Sequence, residues 1–269
     1  MQMEKCVSVK LAGHELHSEF LNRQVKLDFY ASSKAIGSSP VSILLVNDGQ
    51  DLRSMDFKSV LESVEMEVEL KPLVIIGIHC GPDRIQEYGI VSQPDFKGRG
   101  SKAPEYEQFL LNELLPFVYE QYSPHEIMGM HYAGFSLGGL SAFDLAWNHP
   151  DIFSSAAVFS GSLWWRSKDQ YDKTYNANTD RIIHQVVRND SKNEGMKFFF
   201  QVGELDEVED RNRNGVIDTI DDTIDLMREL LQKGYQEGKD MHYLQIKDGR
   251  HDVATWARAF PEYLKWNFS

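Results

Sequence analysis

The chain has 269 residues, 42% of them hydrophobic and 26% charged, which is enough to build one large, well-buried globular domain over residues 1–269. Lys and Arg number 28 against 41 Asp and Glu, a net charge of −13, so neither nucleic acid nor an anionic membrane surface is expected as a partner. No 18-residue apolar run occurs, and "MQMEKCVSVKLAGHEL" has no signal-peptide core, so the expected location is cytoplasmic.

The first forty residues read as antiparallel strands, with "RQVKLDFYA" alternating apolar and polar. Short continuous apolar runs follow at 41–46, 72–78, 127–134, 155–161, 196–203 and 241–246. Helical patterns fall at 55–64, 106–122, 137–147, 219–234 and 252–266. Apolar strands alternating with helices predict an α/β fold whose mostly parallel sheet is covered on both faces. Residues 162–195, polar and rich in Asn and Asp after "LWW", read as an excursion from the sheet. The two cysteines, Cys6 and Cys80, are too far apart in sequence for a metal-binding spacing, and Cys80 reads as a small hydrophobe closing a strand.

"YAGFSLGGLSAFDLAW" places Gly134-Phe135-Ser136-Leu137-Gly138 between a strand and a helix. A turn this tight leaves no room for side chains beside the serine, and it puts the hydroxyl at a helix N-terminus, where negative charge is favoured. A glycine-bounded serine can also be a simple helix cap. A serine nucleophile further needs a base and an orienting acid, in the chain order serine, acid, histidine. His251 in "LQIKDGRHDVATW" and Asp206 in "FFFQVGELDE" both follow strand ends, on the edge where open α/β sheets carry their sites. Glu204 is the alternative acid, and any of the carboxylates crowding this loop could be a solvated loop charge. His79 also ends a strand and could line the pocket. The oxyanion donors expected are the N–H of Leu137 and that of Gln50, in "LLVNDGQDL", where Gly49 permits a close backbone approach. The same Asp-Gly could be a plain turn.

These segments, with "AGFSLGGLSAFDLAWNHPDIFSSAAVFSGSLWW" and "DGRHDVATWARAFPEYLKW", resemble the esterase family of enterochelin (siderophore) esterases, feruloyl and acetyl-xylan esterases, S-formylglutathione hydrolase and mycolyltransferases. The resemblance covers residues 16–269, and "FSGSLWW" and "HDVATW" are most similar to the enterochelin branch. It implies an α/β-hydrolase fold and a serine esterase that needs no cofactor for catalysis and acts on a small-molecule ester. It carries the nucleophile onto Ser136, the base onto His251 and the oxyanion donors onto Gln50 and Leu137. It also implies that Trp164 and Trp165 wall an acyl pocket; a packed core pair is the plainer reading of both. Arg84 could meet a substrate carboxylate or phenolate, or pair with Asp83 or Glu87. A siderophore-type trilactone and an acylated carbohydrate remain equal substrate candidates. A non-catalytic protein binding a ligand or partner in the same cleft is the alternative.

A second motif, "DRNRNGVIDTID", has calcium-loop spacing. Asp210, Asn212, Asn214, Val216 through its carbonyl, Asp218 and Asp221 occupy the ligand positions, with Gly215 at the sharp turn. The last position holds Asp where Glu is usual. A structural calcium that orders the segment carrying Asp206 is the expectation; an Asn-Gly turn with helix-capping carboxylates is the alternative.

Overall fold

The computed structural model describes residues 7–37, 40–122 and 127–269, so Cys6 and His125 lie outside the described residues. Eight strands form one sheet in the order β1-β2-β4-β3-β5-β6-β7-β8. They are β1 (Lys10–Ser18), β2 (Arg23–Ala31), β3 (Val41–Asn47), β4 (Leu73–Ile78), β5 (Ile127–Phe135), β6 (Phe153–Phe159), β7 (Lys197–Leu205) and β8 (Met241–Arg250). β1 and β2 are antiparallel and β2 is antiparallel to β4, whereas β4, β3, β5, β6, β7 and β8 run parallel. All residues of β3 and β4 are buried, as continuous apolar strands between two helical layers must be. β1, at the edge, is mostly exposed.

The helices are α1 (Gly49–Ser54), α2 (Phe57–Glu67), α3 (Arg84–Glu87), α4 (Ala103–Phe109), α5 (Leu115–Gln121), α6 (Leu137–Asn148), α7 (Ala177–Asp180), α8 (Ile182–Asn189), α9 (Asp218–Gln232) and α10 (Val253–Phe268). The pattern expected over 55–64 is α2, which starts at Phe57 because Asp56 takes a left-handed φ of 48° after α1; α1 itself precedes the expected span. The helical run expected over 106–122 is interrupted by a wide π-turn at Leu110–Leu114, just before Pro116, which has no N–H to continue the ladder. α8 lies inside 162–195, the segment expected to leave the sheet, where the sequence assigns no helix. It buries Ile182, Ile183, His184 and Val187 on one face. No helix among the described residues is long and apolar enough to cross a membrane.

Two cores flank the sheet. One joins α4, α5, α6, α8 and α9 to it around Phe143, Trp147, Phe198 and Leu226. The other lies beneath α2 and α10, around Phe57, Phe159, Phe260 and Tyr263. Helices thus cover both faces of the central strands. At one rim lie the C-terminal ends of the parallel strands, from which Asn47, Phe135, Phe159, Leu205 and Arg250 lead into loops.

Candidate active site

Ser136 joins β5 to α6 with φ 54° and ψ −122°, a conformation that a non-glycine residue holds only when its surroundings impose it. Here they do. The Ser136 N–H donates to the Phe159 carbonyl at 2.8 Å, and the Ser136 carbonyl accepts from the Ser162 N–H at 3.1 Å, so the turn is fastened to the end of β6. The flanking glycines are sterically obligatory. A Cβ on Gly134 would stand 2.2 Å from the Gly138 carbonyl oxygen, and one on Gly138 would stand 2.6 Å from Asp48 Oδ2. The second glycine is therefore set by the loop after β3 as well as by the turn itself.

Leu137, first in α6, has an N–H with no partner inside the helix, and so has Gln50, second in α1. α1 begins at Gly49, where a Cβ would lie 2.3 Å from the Gly77 carbonyl carbon. The close approach expected at this glycine is thus an approach to the backbone of β4. The Gln50 side chain is held by Cys80: its Oε1 accepts from the Cys80 N–H at 3.2 Å, and its Nε2 stands 3.3 Å from Sγ. Burial, together with the charge of Asp48, pushes the Cys80 thiol up to about 11, so it stays protonated.

Asp206 follows β7 and is half-buried. Its Oδ2 accepts from the Gly203 N–H at 3.0 Å, while the buried Oδ1 makes no close hydrogen bond among the described residues. Burial raises its pKa, opposed by the Gly203 N–H, the nearby Ser160 hydroxyl and the charge of His251. His251 follows β8, its ring edge-on to Trp256 with centroids 5.4 Å apart. Although the residue is exposed at its rim, the chain packed around the ring disfavours the imidazolium and lowers its pKa. Asp206 and Asp252 oppose that shift and the Arg84 charge adds to it. Asp206 and His251 are therefore electrostatic neighbours, although among the described residues no hydrogen bond joins His251 to Asp206 or to Ser136. Such bonds are commonly long before a substrate is bound. Glu204 points elsewhere, accepting from Gln245 Nε2 at 2.8 Å, and Glu207 is held by the N–H and hydroxyl of Thr219.

Two candidates for substrate contact are engaged elsewhere, Trp165 in the core as its plainer reading had it. Trp165 is fully buried, its Nε1 donates to the Gln93 carbonyl at 3.3 Å, and its ring packs against Gly89 and Gly100, so it belongs to the core. Arg84 pairs with neither Asp83 nor Glu87. Its guanidinium makes a two-pronged contact with the buried Asp48, at 2.6 and 2.7 Å, so its charge is already matched. Asp83 pairs with Lys102, and Glu87 with Arg23. Trp164 is half-buried. Arg99 and Arg166 lie 4.7 and 5.7 Å from its ring centre, and the three line a cavity of about 200 Å³ with Phe96, Lys97 and Glu207. His79 faces the antiparallel edge, its Nε2 2.7 Å from the buried Asp28, in a separate cavity of about 500 Å³.

The 210–221 loop brings most of its candidates together. Asp210 accepts the N–H groups of Asn214 and Gly215 at 3.1 and 2.9 Å, and the side-chain amides of Asn212 and Asn214 reach Asp221 Oδ2 at 2.7 and 2.9 Å. Asp218 is the exception. It turns away to accept the Arg211 N–H at 2.9 Å and lies 3.3 Å from the Arg211 guanidinium. Among the described residues, no three His, Cys, Asp or Glu side chains are gathered as around a metal ion.

Several residues of this region were not singled out from the sequence: Asn47, Asp48, Tyr88, Ser160 and Ser162. Ser160 and Ser162 sit in the quoted "VFSGSLWW", and only their position after β6 connects them with Ser136. The Ser162 hydroxyl lies 3.5 Å from that of Ser136, and Ser160 accepts from Trp256 Nε1 at 3.0 Å.

Comparison with known proteins agrees with this arrangement. The sequence model of the Esterase family, described as "Putative esterase", matches residues 18–267. The protein YjcH of Bacillus subtilis (strain 168) is 21% identical over 250 residues, which are 92% of this chain and 93% of that one. The enterobactin esterase FES of Shigella flexneri superposes with a TM-score of 0.69 at 18% identity over 98% of this chain; this chain spans only 59% of that protein. A ferulic acid esterase superposes with a TM-score of 0.67 at 17% identity, covering 96% of this chain and 97% of its own. The siderophore hydrolase EstB of Aspergillus nidulans gives 0.66 at 14% identity, with 99% of both chains covered. With the family match spanning nearly the whole chain and the sheet order and elbow as described, the chain belongs to the Esterase family: it is a carboxylic ester hydrolase of α/β-hydrolase fold.

Proposed function

We propose that Ser136, His251 and Asp206 form the catalytic triad of a serine esterase. The observation that carries this reading is the strained Ser136 turn, which presents a hydroxyl beside the unpartnered N–H of Leu137. In the reaction, Ser136 Oγ attacks the ester carbonyl carbon while His251 takes the hydroxyl proton. The carbonyl oxygen becomes an oxyanion facing the N–H groups of Leu137 and Gln50. Cleavage of the C–O bond releases the alcohol, which leaves with the proton from His251, and the acyl group stays on Ser136. Water then repeats the sequence and releases the acid. Asp206 holds the imidazole and favours its charged form in passing.

The substrate proposed is a siderophore-type ester or an acylated carbohydrate. Trp164, with two guanidinium groups near its ring, supports an aromatic acyl group in either case. Two measurements test the proposal: fluorophosphonate labelling followed by peptide mapping, and a hydrolysis panel of a trilactone, feruloyl and acetyl carbohydrate esters. Label on Ser136 with turnover of one panel member is expected. An unlabelled, inert protein that still binds panel members would instead be a non-catalytic ligand-binding relative.

The pH profile follows from His251. The sequence suggests that Asp206 raises its pKa, but burial and the charge of Arg84 prevail, and the shift is downward. The base works when neutral, so kcat/KM should rise with pH through a midpoint below the ordinary imidazole value of about 6.5 and be flat above it. A midpoint above about 7, measured with chemistry limiting, would contradict the assignment.

We also propose that the 210–221 loop takes up calcium through Asp210, Asn212, Asn214, Val216 and Asp221. The convergence of two carboxylates and two side-chain amides supports this, since rotating the amides would turn their oxygens inward. A cation bound only by the folded loop at a hundred times its Kd adds about 2.7 kcal/mol, which is several degrees in Tm. Wild type should melt higher in millimolar calcium than in chelator, and Asp210→Ala should show no difference. Equal Tm values for wild type in both conditions would leave the loop a capped turn.

A further inference from the structure

Between the loop after β3 and the Ser136 turn lies a buried amide that the mechanism above does not use. Asn47 is the last residue of β3 and is fully buried. Its Nδ2 donates to the Gly138 carbonyl at 2.9 Å, across 91 residues of sequence. Its Oδ1 accepts from the Tyr106 hydroxyl at 2.7 Å and the Tyr132 hydroxyl at 2.9 Å. The orientation is fixed by chemistry: a carbonyl can only accept, so the amide nitrogen must face Gly138. Every hydrogen-bonding direction of this side chain that meets the turn or the two tyrosines is filled, and each partner stands on a different element.

The position of this bridge gives it a role. Asn47 is three residues before Gln50, and Gly138 is one residue after Leu137. The side chain therefore spans the two segments that carry the two oxyanion donors. Next to it, the Asp48 N–H donates to the Tyr88 hydroxyl at 3.2 Å, and a Cβ on Gly138 would come within 3.0 Å of Asn47 Cβ. The two segments are thus in contact, and beyond the β3–β5 ladder, whose pairing ends at Val46 and Ala133, this side-chain hydrogen bond ties them. We infer that Asn47 is a positioning residue that fixes the distance between the N–H groups of Gln50 and Leu137, with Tyr106 and Tyr132 holding its amide in place.

This inference rests on the oxyanion role proposed for those two N–H groups. An oxyanion hole works through donors preorganised at the distance of the tetrahedral intermediate, not of the ground-state ester. Loosening the tie should then cost transition-state binding and leave substrate binding nearly untouched. Losing a donor altogether costs about a hundred- to a thousandfold in kcat, so displacing one should cost less, about ten- to a hundredfold.

The test is Asn47→Leu, which keeps the volume and removes the tie. Active sites are counted by fluorophosphonate labelling, so that kcat is expressed per functional site and misfolded protein drops out. Expected are a kcat per site lowered about ten- to a hundredfold, KM within about threefold of wild type, and an unchanged pH midpoint. The affinity of an arylboronic acid, whose adduct on the serine is tetrahedral, should weaken by the same factor as kcat. A wild-type kcat per site, or a loss confined to KM, would overturn the inference. If Asn47→Leu does not fold, the double variant Tyr106→Phe/Tyr132→Phe leaves Asn47 in place but unheld. It should lower kcat per site by about three- to tenfold with KM unchanged, and no loss overturns the inference. Ser136→Ala is run beside both. If it stays active, the serine reading itself fails and the positioning role falls with it. If it is dead while the Asn47 and tyrosine variants match wild type, only the positioning role is lost.

Discussion

Replacing Ser136 with alanine is expected to lower kcat for an activated ester by three or more orders of magnitude while leaving Tm within a few degrees of wild type. The magnitude is that seen when a member of a nucleophilic triad is removed. The fold should survive because the strain at this position belongs to the backbone: alanine meets the same φ of 54°, and the hydrogen bonds that hold the turn are from the main chain. One neighbouring group deserves a control. The Ser162 hydroxyl lies 3.5 Å from Ser136 Oγ and is the nearest alternative nucleophile. It follows no strand-to-helix elbow and has no helix N-terminus behind it, so Ser162→Ala alone should retain turnover. Should Ser136→Ala keep a tenth or more of wild-type kcat, the assignment of the nucleophile is wrong, and mapping the labelled peptide would show whether Ser162 has the role.

The largest expected change in stability lies away from the chemistry, beneath α9. Arg181 is buried; its guanidinium reaches Asp222 Oδ1 at 2.6 Å and Asp225 Oδ2 at 2.8 Å. Asp222 is buried too, is shared with Arg211 at 2.6 Å, and its Oδ2 has no hydrogen-bond partner among the described residues. Arg181→Met removes one of two countercharges from a carboxylate that cannot reach water, a loss that costs about 3–5 kcal/mol. The sign of its pH dependence follows from the two carboxylates. Burial raises the Asp222 pKa, and removing Arg181 takes away one of the two charges that hold it down. Protonation can then relieve the buried charge. Asp225, whose pKa is lowered chiefly by its bond to Arg181 against the cost of burial, contributes stability above its unfolded pKa, and the variant forfeits that share. The destabilisation should therefore be full at about pH 7 to 8 and shrink as the pH is lowered toward about 4. Denaturant unfolding of both proteins across that range checks it. A constant difference, or one that grows in acid, would mean that the network is not carrying charge. Because Arg211 ties the same cluster to the 210–221 loop, the variant should also show whether α9 steadies the segment behind Asp206.

What the sequence determined by itself was whatever one segment can encode without its neighbours. Continuous apolar runs at 41–46 and 72–78 are strands because a strand closed on both faces needs no polar side, and the structure buries every residue of β3 and β4. The elbow was legible because glycines flank the serine, although only Gly134 answers a demand within the turn, while Gly138 makes room for Asp48 and Asn47. That Ser136, Asp206 and His251 would stand at one rim could be read because each follows a strand, and parallel strands bring their C-terminal ends together. Local composition was silent where it mixed signals. α8 lies in a stretch of Asn and Asp, and its short apolar face has meaning only against α9 and the sheet. The rest depended on which faces meet. Arg84 pairs with Asp48, 36 residues away, although Asp83 and Glu87 are its neighbours in sequence. Trp164 and Trp165 are adjacent, yet one lines a cavity and the other is sealed against Gly89 and Gly100. The direction of the His251 shift came from burial, which no spacing of charged residues reveals. Asn47 gave no signal at all, since an asparagine before an Asp-Gly turn looks like part of the turn. Its role appears only when the amide is seen between Gly138 and two tyrosine hydroxyls, because a hydrogen bond that spans 91 residues is a property of the packed chain.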